Sequence, residues 1–85
     1  MKDMLPVGAV VLLEGAKVPL MIVGYMVKGI DEKERDYMGV PYPYGYTNIE
    51  SIRGFNHSDI KEVLFEGYKE NVIFNSFKNK LNNNK

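Results

Sequence analysis

Pro19 to Lys28 reads PLMIVGYMVK, the longest apolar run in the chain. Its β-branched and aromatic residues favour an extended backbone. In a strand, Leu20, Ile22 and Met26 point to one face, and Met21, Val23, Tyr25 and Val27 to the other. Both sets are apolar. Such a strand is central, with a neighbour on each edge and cover on each face. Gly24 has no side chain to pack and predicts a bulge or bend in the middle of the run.

The remaining segments read as what this strand needs. Val7 to Leu13 (VGAVVLL) is a first strand, joined to the central one by the short Gly-containing connection Glu14 to Lys17, which makes the pair a hairpin. Lys28 to Glu34 is charged, contains Gly29 and reads as an exposed connection. Arg35 to Pro41 is a third strand, antiparallel to the second, with Tyr37 and Val40 inward and Gly39 at a second bend. Thr47 to Gly54 alternates loosely and fits a loop, a short edge strand or a helical turn. Phe55 to Ile60 (FNHSDI) is a capped turn, in which Asn56 or Ser58 accepts from a backbone N–H.

A further strand spans Lys61 to Glu66, with Val63 and Phe65 inward and Glu62 and Glu66 outward. Lys69 to Leu81 reads as a helix whose apolar stripe is Ile73, Phe74, Phe77 and Leu81, with Val72 off the stripe. This helix is the expected lid for the second face of the central strand. Residues 82–85 have nothing to bury and are expected to fray. The predicted fold is α+β and mainly β: a small bent antiparallel sheet or SH3-like barrel of 4–5 strands with one C-terminal helix, a single domain over 1–85 ordered from 5 to 81.

Eleven basic residues balance eleven acidic ones. A nucleic-acid partner calls for a basic excess, because phosphate neutralisation supplies most of the affinity. Here Lys and Glu alternate through Asp31 to Asp36 as they do on a solvated loop. There is no cysteine, hence no disulfide and no thiolate metal site. The N-terminal run is broken by Asp3, Pro6, Gly8 and Glu14, unlike a signal peptide. No apolar run approaches the ~18–20 residues of a membrane span. These features point to a cytoplasmic location.

His57 is the single histidine. Asp59 alone beside it does not make a metal site, and no serine sits in a nucleophile elbow, so His57 reads as a turn residue with local hydrogen bonds. The expectation is a non-enzymatic protein with no cofactor, metal or small-molecule substrate. Pro41 to Tyr46 (PYPYGY) is the candidate site. Its prolines remove backbone donors, which confines it to polyproline-like or edge geometry. Tyr42, Tyr44 and Tyr46 recur with period two. They either line one side of an extended strip as partner anchors, a use for which tyrosine is well suited, or pack over the open end of the barrel.

Leu5-Pro6-Val7-Gly8, Val11-Leu12-Leu13, Leu20 to Gly24, Asp36 to Gly45, Phe55 to Ile60 and Val63 to Tyr68 occur in this order. Together they resemble the DUF4176 family of small bacterial proteins, across nearly the whole chain. Members look like companions of type VII secretion loci, encoded near LXG-domain toxins. The resemblance implies an accessory or chaperone-like role, binding the N-terminal helical domain of such a toxin and, with it, small helical secretion factors. An immunity protein that neutralises a toxin's catalytic domain is the alternative. An SH3-like nucleic-acid module is a further one, disfavoured by the charge balance.

Overall fold

The computed structural model describes residues 4–28, 32–68 and 72–83; the side chains of Met26, Val27 and Leu81, part of the expected 28–34 connection, the first residues of the expected helix and the end of the tail lie outside the described set. The strands are β1 (Val10–Leu13), β2 (Leu20–Lys28), β3 (Glu34–Pro41), β4 (Arg53–Phe55) and β5 (Ile60–Phe65), followed by the helix α1 (Val72–Asn83). They form one antiparallel sheet in the order β4-β3-β2-β1-β5, with the long apolar strand β2 in the middle. Single-turn 3-10 helices occupy Ile49–Ser51 and His57–Asp59. The uncertain stretch 47–54 is therefore a turn followed by a short edge strand.

The sheet is bent and open. Of the two predicted forms, the barrel is corrected: β4 and β5 end the sheet without pairing to each other. Yet β4 runs into β5 through the 56–59 turn alone. Laid flat, five strands ~4.8 Å apart would set the outer two about 19 Å from each other. A link of that length with a 3-10 turn in it spans only about 13 Å, so the sheet has to curl.

Gly24 does mark a bulge. Ile22 pairs with Gly39 and Gly24 with Met38, so Val23 is the extra residue on β2. A bulge of one residue reverses the faces beyond it. Tyr25 consequently pairs with Tyr37 and joins the face of Leu20 and Ile22, which corrects its expected place beside Met21 and Val23. A Cβ on Gly24 would stand 2.9 Å from the Met38 methyl, the far end of a flexible side chain that could shift to make room.

The core cluster is Met4, Ala9, Val11, Leu20, Ile22, Tyr37 and Phe55. Val10 and Val40, which share the opposite face with Met21, are also buried, as the doubly apolar pattern of β2 requires. Gly39 makes no bend. It lets the Phe55 ring close on the backbone, since a Cβ there would lie 3.0 Å from Phe55 Cε1 and from the Met21 carbonyl.

Two expectations about the chain's second half are corrected. Val63 and Phe65 do not both turn inward. Val63 pairs with Val11 and Phe65 with Val10, so Leu64 is an extra residue and the two side chains leave on different faces. As β5 is an edge strand, Val63, Leu64 and Phe65 stay 40%, 48% and 60% exposed. The helix, likewise, is no lid for the second face. Its half-buried Phe74 packs against the same cluster as Leu20 and Ile22, while Ile73 is exposed and Phe77 42% exposed. Phe77 meets Tyr25 with ring centroids 5.6 Å apart.

Candidate partner-binding site

Pro41 ends β3, and the chain turns sharply instead of running on as an extended strip. The Gly45 N–H donates to the Pro41 carbonyl at 2.6 Å, and Gly45 takes a φ of 76° that glycine tolerates best. The Tyr42 N–H donates to the Pro19 carbonyl at 2.9 Å, tying the turn to the start of β2. The Tyr42–Pro43 peptide is cis. Tyr42, Tyr44 and Tyr46 are all exposed, so none is packed as core. Because the backbone turns, they do not share one side of a strip, which corrects that expectation.

The structure separates the three. Tyr44 lines an open cleft of about 570 Å³, and Tyr42 and Tyr46 do not. The floor of the cleft is apolar, built from Leu13 at the end of β1, Val18 in the hairpin connection, Leu20 in β2 and Pro41. Lys17 and Arg53 stand on its walls. Arg53 is held in place by the carbonyls of Glu50 and Ile52, to which its Nη1 donates. Asn48 caps the turn that presents those carbonyls, its side chain accepting from the Glu50 N–H at 2.9 Å. The cleft is thus an apolar trough with two cations beside a projecting tyrosine. Neither Lys17 nor Arg53 stood out in the sequence, since three separated segments, 13–20, 41–44 and 53–54, meet here and no local pattern joins them.

His57 sits elsewhere and does more than cap its own turn. Its Nδ1 lies 2.7 Å from the Tyr37 hydroxyl, which also accepts from the Leu5 N–H at 3.1 Å. The hydrogen bond between the Tyr37 hydroxyl and His57 Nδ1 joins the turn to β3 whichever of the two groups donates. The backbone N–H of His57 donates to Asp36 Oδ2 at 2.9 Å, and that of Asp36 to Asn56 Oδ1 at 3.1 Å. Asn56 and Asp59 close the predicted capped turn reciprocally. The expectation of purely local bonds is therefore corrected: this turn is bolted to β3. Chemically the arrangement fixes a turn; among the described residues no group of three or more His, Cys, Asp or Glu is placed to hold a metal ion.

A second hollow, of about 310 Å³, opens between Pro6 and Val7, Tyr25, Tyr68 and the Ile73, Phe74 and Phe77 side of α1. There the Tyr25 hydroxyl donates to the Leu5 carbonyl at 2.7 Å. Burial pushes its pKa up to about 12, and the neighbouring Tyr37 adds to the effect. Among the described residues, no helix is long and apolar enough to cross a membrane.

A family model described as a domain of unknown function, DUF4176, matches residues 4–80. No curated protein and no solved structure matches the chain.

Proposed function

We propose, for a chain that belongs to the DUF4176 family of unknown function, a non-enzymatic role as a cytoplasmic accessory or chaperone-like protein. Its partner is the N-terminal helical domain of an LXG-type toxin bound for type VII secretion. The partner's identity rests on the family resemblance. The observation that carries a binding role is the cleft beside Tyr44, apolar on its floor and cationic on its walls. An amphipathic helix with an apolar ridge and flanking carboxylates is complementary to such a surface.

The test is co-purification with separately expressed halves of a neighbouring LXG toxin. Retention of the N-terminal helical half is expected. Retention of the C-terminal half alone would assign the chain to immunity. Tyr44→Ala, with an unchanged circular dichroism spectrum, is expected to weaken binding of the N-terminal half by about 2 kcal/mol, roughly thirtyfold. An undiminished affinity would remove the cleft as the site.

A further inference from the structure

The two cations of the cleft are held in different ways. Lys17 lies exposed in the connection between β1 and β2, and its ammonium has no hydrogen bond or ion pair among the described residues. Arg53 is exposed as well, yet its guanidinium is fixed. Its Nη1 donates to the carbonyls of Glu50 and Ile52. The turn that offers those carbonyls is itself tied off. The Ser51 N–H donates to the Asn48 carbonyl at 2.9 Å and the Ser51 hydroxyl to the same carbonyl at 2.6 Å, while the Thr47 N–H donates to the Ser51 hydroxyl at 3.3 Å.

Anchoring through Nη1 leaves the Nε and Nη2 edge of the guanidinium, to which no described residue is bonded. Those two N–H groups run parallel and match the two oxygens of a carboxylate. No acidic residue lines the cleft, and among the described residues Arg53 has no ion pair. A guanidinium tethered to neutral carbonyls keeps its full charge for a partner. It also has little rotamer freedom left to lose on docking, whereas the untethered stem of Lys17 must be ordered at that moment.

We propose that Arg53 selects the occupant of the cleft. Through Nε and Nη2 it takes a carboxylate at the edge of the apolar ridge of an amphipathic helix, while Lys17 adds attraction without a fixed geometry. That role rests on the cleft being the helix-binding trough proposed above.

The experiment is fluorescence anisotropy with two synthetic helical peptides that share one leucine ridge. The first has glutamates along an edge of the ridge, and the second has glutamines in their place. The parent chain is expected to bind the glutamate peptide about tenfold more tightly. Arg53→Gln, with an unchanged circular dichroism spectrum, should reduce that preference to about twofold, the scale of an exposed lysine. Arg53→Lys keeps the charge without the fork and should fall to the same level. Lys17→Gln should retain most of the preference. If Arg53→Gln weakened both peptides alike, its part would be only to hold the 49–51 turn, and the proposal would fall. It would fall as well if the parent bound the two peptides equally or bound neither, or if Arg53→Lys kept the full preference. Co-purification with the toxin's helical half separates this from the toxin reading. Capture by Arg53→Gln as strong as by the parent would overturn the role of Arg53 and leave the toxin reading standing. An Arg53-dependent preference for the glutamate peptide in a chain that captures no toxin half would uphold Arg53 and remove the toxin.

Discussion

The cleft beside Tyr44 and the β5 edge both expose apolar side chains, but the backbone behind them is handled in opposite ways. At the cleft, Pro41 and Pro43 have no N–H, and those of Tyr42 and Gly45 are already bonded to Pro19 and Pro41. Few backbone donors are left there, which puts most of the weight of any recognition on side chains. Along β5, one side of the strand has no ladder in this sheet. The two surfaces therefore differ in kind: side chains around a closed turn at one, and a strand edge interrupted by two pairing offsets at the other.

The largest expected effect tests whether the two surfaces depend on one body. Phe55 is buried in β4 against Tyr37, with ring centroids 5.3 Å apart. Phe55→Ala should cost about 3–5 kcal/mol in a denaturant titration and weaken both surfaces together. Loss of toxin binding with an unchanged unfolding midpoint would show that the cleft end can loosen alone. Within the cleft end, the contrast to measure is Tyr44 against Tyr46. Tyr46→Ala should change affinity by less than about 0.5 kcal/mol, because it lies outside the trough, and equal losses at both positions would restore the idea of a shared tyrosine face.

On the other side, Phe77→Ala should cost only about 0.5–1.5 kcal/mol, the scale of one aromatic pair, since it rests on Tyr25 while remaining partly exposed. A loss of several kcal/mol would make α1 a true lid. The last contrast is the pH response of the same place. The Tyr25 hydroxyl is raised from 10.0 to about 12 in the folded chain, so the folded state holds this proton more tightly than the unfolded one. Its stabilising contribution is complete below the unfolded pKa of 10.0 and is lost as pH rises through about 12. Tyr25→Phe loses the bond to the Leu5 carbonyl at every pH, so its denaturant midpoint should sit a constant distance from the parent's below pH 10.0, and the gap should change only on the alkaline side.

How far the sequence reached depends on the range of the signal. β2 was legible because both faces of one short run are apolar, and Gly24 announced its bulge by lacking a side chain. Which residues the bulge moves was not legible, since Tyr25 changes face only in relation to the β3 register. β5 misled through its alternation, because Val63 and Phe65 look inward until a pairing offset on β1 parts them. Phe74 was read correctly as a packing residue, whereas Ile73 has the same period and is exposed, a matter of how little of α1 touches the sheet. At the candidate site, the tyrosines were visible and their separation by the turn at Gly45 was not. The cations Lys17 and Arg53 are 36 positions apart in the numbering and share a wall only because β4 and the hairpin meet there.

The Tyr37 hydroxyl has a bearing on when this chain can fold. Two of its partners lie 32 residues before it and 20 after it, so these hydrogen bonds are of long range. A nascent chain that has not yet reached His57 leaves this hydroxyl one partner short in the cluster it is meant to enter, at a cost of about 1–3 kcal/mol. Folds dominated by such distant closures are slow, in the range of about milliseconds to seconds. The hydrogen bond to His57 can form only once that residue has been made, so the cluster around Tyr37 is completed late in synthesis.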